Sequence, residues 1–297
     1  MDAALKLRIA LALAAVYIIW GSTYLAIRYS LTDFPPFIMA GSRFVIAGLA
    51  LGIFAMLRGN ALPTFAQWRN SFFLGFLLFV VGNGGVVFAE QWIASSLAAT
   101  AVASMPIFAT VFGYFFGREL TRLDLVAVFV GFAGVAILNH DAGMGSILHP
   151  AALALIAAPL CWAFGSVASR SMNLPKGLMM SAAQMLGGGV LLMAVSFALG
   201  ERWPDEIGNA ALAAWLYQIV FGSLIAFSAY LFLLQNVRPA LATSYAFVNP
   251  PLAVLFGVWL ANESVSGWGY AGMAVIVSAV VLIQAQRTTG RGQKTST

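Results

Sequence analysis

Arg43 is the residue whose position most clearly suggests chemistry, because it is a charged side chain inside a long apolar stretch. An ionisable group at membrane depth is costly, so such a residue marks either a binding function or a specific partner. Its guanidinium could hold the carboxylate of a bound molecule, or it could cap helix carbonyls and clamp neighbouring helices together. The sequence leaves both alternatives open.

Trp20 and Trp162 are the next candidates, because both lie near the middle of apolar stretches while the other six tryptophans lie toward stretch ends or loops. An indole N–H needs a hydrogen-bond acceptor, so each ring should face protein or a cavity rather than lipid. The neighbouring hydroxyl groups that could add polar contacts belong to Ser22, Thr23, Tyr24 and Ser166. The alternative is plain helix packing, with Gly21 and Gly165 at the contacts.

Other polar groups occur where glycine or proline weakens an apolar helix. Asn83 lies in the run Gly82-Asn83-Gly84-Gly85, which can approach another helix closely or loosen into irregular backbone. The prolines that lack a backbone donor and should kink their helices are Pro106, Pro250 and Pro251. Tyr245 and Asn249, just before the last two prolines, are natural groups to line a cavity.

Glu90 ends an apolar stretch near the expected outer surface. It could be the solvated end of a helix, or it could be a gate residue at the outer mouth of a cavity. No carboxylate lies near the middle of an apolar stretch, where a proton-coupled antiporter usually carries its proton. This pattern favours facilitated or weakly coupled movement of a substrate.

Patterns of catalytic and metal sites are missing from the sequence. It has one cysteine, Cys161, and two histidines, His140 and His149, which lie in the same polar loop. The apolar stretches contain no paired carboxylates, no histidine cluster and no Ser/Lys or Ser/His dyad. We therefore expect no enzyme, no metal and no cofactor.

The elements that position these residues are membrane-spanning helices. Of the 297 residues, 61% are hydrophobic and 8% are charged, with a mean hydropathy of +0.91, whereas soluble domains carry about 25% charged residues. A span needs roughly 20 apolar residues, and ten stretches meet this requirement. They are approximately 9–30, 35–57, 71–90, 95–117, 123–139, 150–170, 176–199, 212–235, 240–261 and 266–285.

The basic residues predict the orientation of these spans. With the N-terminus inside, twelve of the fifteen Lys and Arg residues fall in cytoplasmic segments, while Arg28 and Arg202 fall outside. Positive charge on short loops favours the cytoplasmic side, so both termini should be cytoplasmic. The net charge of +5 then belongs to the membrane surface, and no nucleic-acid partner is expected.

Two halves of the chain carry the same landmarks. Trp20 and Trp162 each precede an arginine by eight residues, and Pro106 and Pro250 each precede a glutamate by thirteen. Residues 1–140 and 150–285 are therefore predicted to be two five-helix units, followed by a cytoplasmic tail at 286–297. Because five is odd, the second unit is inverted, as in alternating-access transporters. Gln184 is the approximate counterpart of Arg43 in the second unit.

These motifs resemble the EamA-type branch of the drug/metabolite transporter superfamily over essentially the whole chain. The resemblance rests on Trp20-Gly21-Ser22-Thr23, on Arg43, on Pro106 with Glu119-Leu120-Thr121, and on the run from Leu241 to Pro250. The resemblance implies an all-α bacterial inner-membrane protein with ten helices around a central cavity. Members of this family mostly export amino acids or related metabolites. In the second half, Ser264-Val265 replaces the Leu-Thr that follows Glu119, which departs from a strict repeat.

The expected function is export of neutral or aromatic amino acids and related small metabolites by alternating access. The candidate substrate contacts are Trp20, Ser22, Thr23, Tyr24, Arg43, Asn83, Trp162, Ser166, Gln184, Tyr245 and Asn249, with Glu90 as a gate. The alternative is another metabolite class, such as nucleosides, purines or nucleotide sugars. A channel or scaffold is disfavoured by the duplication.

The expected partners are a small molecule and membrane lipid, and the expected state is a monomer or weak homodimer.

The predicted topology can be tested with reporter fusions. Fusions after Arg58, Arg118, Arg170 and Arg238 should report a cytoplasmic location, because positive charge keeps these loops inside. Fusions near Asp33, Gly143 and Asp205 should report the opposite side. Each fusion is made with two reporters, one active only in the cytoplasm and one active only outside it, so that each result controls the other. A pattern in which both sets exchange sides would contradict the ten-span orientation.

Overall fold

The structure, a computed structural model, describes residues 3–92, 95–117, 122–138 and 150–261, and separate residues between 266 and 279. Every regular element in this described part is helical. The helices are α1 (Ala3–Ser30), α2 (Pro36–Leu57), α3 (Phe65–Ala89), α4 (Ser95–Val102), α5 (Met105–Phe115), α6 (Arg122–Leu138), α7 (Pro150–Ala168), α8 (Leu178–Ala198), α9 (Asn209–Asn236), α10 (Pro239–Ala242) and α11 (Tyr245–Ala261). The described residues between 267 and 279 are helical as well.

Five of these helices are long and apolar enough to cross a membrane: α1, α2, α3, α8 and α9. Large apolar side chains point away from the protein, including Phe197, which is 87% exposed, and Trp259, which is 80% exposed. Such surfaces suit hydrocarbon and not water. The chain is thus an all-helical, multi-pass membrane protein, as the sequence predicted. The count of ten spans and their inverted arrangement stay predictions.

Two predicted spans are divided into shorter helices. The span at 95–117 breaks at Ala103 and Ser104, directly before Pro106, where the missing backbone donor was expected to kink it. The span at 240–261 breaks at Thr243 and Ser244 instead of at its prolines, which both lie inside α11. Ser244 Oγ donates to the Leu241 carbonyl at 2.8 Å, so this side chain replaces part of the regular backbone pattern.

Two long helices contain wide π-helical turns. Residues Phe76–Asn83 of α3 and Gln218–Phe227 of α9 are π-helical. The first stretch ends at Asn83, within the glycine run whose loosening the sequence suggested. π-helical turns occur frequently at functional sites. The two stretches occupy the predicted third and eighth spans, which would be equivalent in a duplicated chain.

Glycines bring α8 very close to α2 and α3. A Cβ atom added to Gly75 would lie 2.5 Å from the backbone nitrogen of Gly188, and one added to Gly189 would lie 2.8 Å from the backbone nitrogen of Val45. Such distances leave no room for a side chain, so the backbones themselves are in contact. The Gly187-Gly188-Gly189 run therefore allows the close packing of α8.

Helices α1 and α7 have similar sets of packing partners. Helix α1 packs against α9 and α11, and α7 packs against α3 and α5. Helices α2 and α8 pack along each other. In addition, α2 contacts the π-helical stretch of α9, and α8 contacts α3. If α1 and α7 are equivalent, their packing partners are equivalent too.

The backbone contact at Gly75 predicts a local loss of stability. Gly75→Ala should destabilise the protein by about 1–3 kcal/mol, because the new methyl group must push α3 and α8 apart. Gly52→Ala is the matched control, since its Cβ would meet the Ala182 Cβ at an ordinary 3.6 Å. Thermal unfolding in detergent measures both variants. Equal midpoints for the two variants would contradict the proposed tight contact.

Candidate functional site

A cavity lies between α1, α2, α3, α4, α7, α9 and α11. Its empty space, with the open mouth included, is about 660 Å³. Its lining residues come from helices of both halves: Trp20, Thr23, Tyr24, Ile27, Arg43, Phe44, Phe79, Gly82, Asn83, Val86, Val102, Ala158, Pro159, Trp162, Gly222, Phe227, Tyr245 and Asn249. Eight of the predicted site residues are thus brought together at one cavity.

Trp20 and Trp162 belong to one aromatic wall of this cavity. Their ring centroids are 5.6 Å apart with an edge-to-face arrangement, and Trp20 also contacts Tyr245 at 4.6 Å and Tyr230 at 5.1 Å. The two indoles contact each other directly, and together they form one side of the cavity.

Both indoles pack against a glycine in a π-helical stretch. Trp20 Nε1 donates to the Gly222 carbonyl oxygen at 3.1 Å. A Cβ atom added to Gly82 would lie 2.7 Å from Trp162 Cε3, and Trp162 Nε1 donates to the Tyr230 hydroxyl at 3.2 Å. The indole N–H groups are therefore satisfied inside the protein, as a ring at membrane depth requires.

Arg43 joins three helices at the cavity. Its side chain is 4% exposed and donates to Gln218 Oε1 of α9 and, at 3.1 Å, to Asn83 Oδ1 of α3. Its guanidinium carbon lies 4.1 Å from the centre of the Phe44 ring. Gln218 is itself held in place, since its Nε2 donates to Ser30 Oγ at 2.9 Å. Arg43 thus clamps helices together and lines the cavity at the same time.

Tyr24, Asn249 and Glu90 form a second polar group. The Tyr24 hydroxyl is hydrogen-bonded to the Asn249 side chain and lies within electrostatic range of Glu90. Glu90 is 8% exposed, and neither of its carboxylate oxygens has a hydrogen-bond partner among the described residues. Of the two alternatives for Glu90, this burial contradicts the solvated helix end, while the role of a gate stays a prediction.

Three predicted contacts lie outside the cavity lining. Ser22 Oγ donates to the Ile19 carbonyl at 2.8 Å and is 2.6 Å from the Tyr217 hydroxyl. Ser166 Oγ donates to the Trp162 carbonyl and is 2.5 Å from the Tyr230 hydroxyl, so it supports the aromatic wall from behind. Gln184 is fully buried where α8 meets α3 and is not part of the cavity lining. Its predicted contact with a substrate is not supported.

Two residues of the site were missed in the sequence. Gln218 positions Arg43, and Tyr230 joins Trp162 to Ser166. Both are polar side chains in an otherwise apolar stretch, the same signal that identified Asn83. Within the described residues, no group of three His, Cys, Asp or Glu side chains lies close enough to hold a metal ion.

Comparisons with known proteins agree with this architecture. The profile of the EamA-like transporter family matches residues 7–140 and again 149–285. The chain is 44% identical over 273 residues to the Escherichia coli K12 protein named "Uncharacterized inner membrane transporter YedA", covering 92% of this chain and 89% of that one. It is 27% identical over 278 residues to "Protein PecM" of Dickeya dadantii, covering 90% and 89% of the two chains.

A solved crystal structure shows the same fold. It superposes with a TM-score of 0.77 at 21% identity and covers 95% of this chain and 98% of its own. The family profile, the relatives named as transporters and the membrane-spanning helices all indicate a transporter rather than an enzyme. The chain belongs to the EamA-like transporter family.

Proposed function

We propose that this chain exports neutral or aromatic amino acids, and related small metabolites, from the cytoplasm. The observation that carries the proposal is the composition of the cavity wall. Arg43 is the one cation among the described lining residues, and the other lining groups are aromatic, apolar or neutral polar side chains. A zwitterion with an uncharged side chain matches such a wall, because its carboxylate suits a guanidinium and its side chain suits indole rings.

The proposed mechanism is alternating access between two inverted five-helix units, at 1–140 and 150–285, within ten spans. The matched packing of α1 and α7 supports it, as do the two π-helical stretches at corresponding positions. The cavity lies where helices of both units meet, which is the usual position of a substrate site in such transporters. The proposed location is the bacterial inner membrane, with both termini in the cytoplasm.

A nucleoside or purine is the second candidate, because its base would also stack on the aromatic wall of Trp20 and Trp162. A nucleotide sugar fits less well, since its diphosphate needs more positive charge than Arg43 provides.

The direct test is uptake by reconstituted liposomes of labelled phenylalanine, tryptophan, alanine, adenosine and glucose. The wild-type protein should transport the amino acids, with saturation that separates a carrier from a channel. Arg43→Ala should reduce amino-acid transport more than it reduces folding, because the carboxylate loses its partner. Arg43→Lys is the control variant, because it keeps the positive charge but loses the guanidinium that binds Gln218 and Asn83 together.

Two outcomes would contradict these assignments. Saturable uptake of adenosine without uptake of amino acids would replace the proposed substrate class. If Arg43→Ala lowers thermal stability while the protein that stays folded transports normally, Arg43 acts only as a clamp between helices.

The aromatic wall predicts a specific change in selectivity. Trp20→Ala and Trp162→Ala should each weaken tryptophan and phenylalanine transport more than alanine transport, by up to roughly tenfold, since an aromatic contact adds about 0.5–1.5 kcal/mol. Trp259→Ala is the matched control, because this indole is 80% exposed and lies outside the cavity lining. An equal loss for all three amino acids, together with lower thermal stability, would indicate a packing role instead.

A further inference from the structure

Three residues at or next to the cavity carry buried polar atoms that have no hydrogen-bond partner among the described residues: Arg43 and Asn249 belong to the lining, and Glu90 follows the lining residue Val86 by one helical turn. The atoms are Arg43 Nε, both carboxylate oxygens of Glu90 and Asn249 Oδ1. Arg43 and Asn249 line the cavity, with 4% and 1% of their surfaces exposed. A buried polar atom without a partner is costly, so unpaired atoms beside a cavity point to groups that a ligand supplies.

The unpaired atom of Arg43 differs in kind from those of Glu90 and Asn249. At Arg43, the free atom is a donor, which needs an acceptor such as a carboxylate. At Glu90 and Asn249, the three free atoms are all acceptor oxygens. Three acceptors match the three N–H donors of an ammonium group, which has no acceptor of its own. The site is therefore complementary to a molecule with both charges.

Tyr24 interacts with both residues that carry the unpaired acceptor atoms. The Tyr24 hydroxyl is hydrogen-bonded to the Asn249 side chain, and its ring lines the cavity within electrostatic range of Glu90. The charge of Arg28 also acts on Glu90, but the Glu90 oxygens accept no hydrogen bond from a described residue. A donor group of a ligand would thus complete this part of the site.

The spacing along α3 fits an amino acid. Asn83, which binds Arg43, and Val86 line the cavity, and Glu90 follows Val86 by one helical turn. Asn83 and Glu90 are about 10 Å apart along the helix axis, and their spacing of seven residues places both on nearly the same face of the helix. An α-amino acid with a hydrogen bond at each end spans about 8 Å.

We propose that Glu90 and Asn249 bind the amine of a zwitterionic substrate whose carboxylate is held by Arg43. This inference rests on the proposed function and deepens it, since it makes the amine a requirement for recognition. Glu90 then acts as a substrate-binding residue. Carboxylic acids without an amine leave its carboxylate unpaired, and the site discriminates against them.

The test is a set of binding measurements on the full-length protein in nanodiscs. The probes are phenylalanine, 3-phenylpropionate, which lacks the amine, and phenethylamine, which lacks the carboxylate. The wild type should bind phenylalanine at least about tenfold more tightly than 3-phenylpropionate, because a hydrogen bond to a charged group is lost. Glu90→Gln should remove most of this preference and the binding of phenethylamine, while 3-phenylpropionate binding persists.

Two further variants keep the test decisive. Glu206→Gln is the control, since this glutamate is exposed in a loop and should leave all three affinities unchanged. Asn249→Asp adds a second carboxylate and should tighten phenethylamine binding, which gives an answer even if Glu90→Gln does not fold.

The outcomes separate this inference from the proposed function. If phenylalanine is transported but Glu90→Gln and Asn249→Asp leave the amine preference unchanged, the amine site is wrong and the export proposal stands. If phenethylamine binds in a Glu90-dependent way while no amino acid is transported, the amine site stands and the export proposal fails. Stabilisation by Na⁺ relative to choline that Glu90→Gln abolishes would assign the site to a metal ion and overturn the inference, as would no binding of any probe.

Discussion

Inside a membrane, a polar side chain must find its partner on another helix, because the surrounding hydrocarbon offers none. Arg43 meets this requirement by binding Gln218 of α9 and Asn83 of α3 from its position on α2. Gln218 in turn donates to Ser30 of α1. One buried cation therefore determines how four helices meet, and the cavity is the space that remains beside this network.

Positions that the predicted repeat would make equivalent have different surroundings. If Trp20 corresponds to Trp162, then Tyr24 corresponds to Ser166 at the same spacing. Tyr24 lines the cavity and binds Asn249, whereas Ser166 lies behind the wall and binds the Tyr230 hydroxyl. If the chain is a duplicated one, both units contribute an indole to the aromatic wall, while the position four residues later lines the cavity in only one of them.

Sequence patterns predicted the residues that carry a strong local signal. Arg43 and Trp162 stand out because a charge or an indole at membrane depth needs protein around it, and both do line the cavity. Gln184 was assigned through its counterpart Arg43, but side-chain direction depends on the crossing of α8 with α3, which a repeat does not encode. The burial of Glu90 was missed for a similar reason. Its position at the end of a stretch suggests solvent, and only the packing of other helices shows that it is covered.

The contact of Gly75 with Gly188 limits how the cavity can change shape. Elsewhere, flexible side chains between helices can adopt new rotamers when the helices shift. At this point backbone meets backbone at a distance that leaves no adaptable group between them. A rotation of α3 about this point would keep the two backbones together, so the contact can serve as a pivot. Because α3 carries Asn83 and Glu90 far from that pivot, even a small rotation there would move both residues along an arc, with Glu90 travelling further than Asn83.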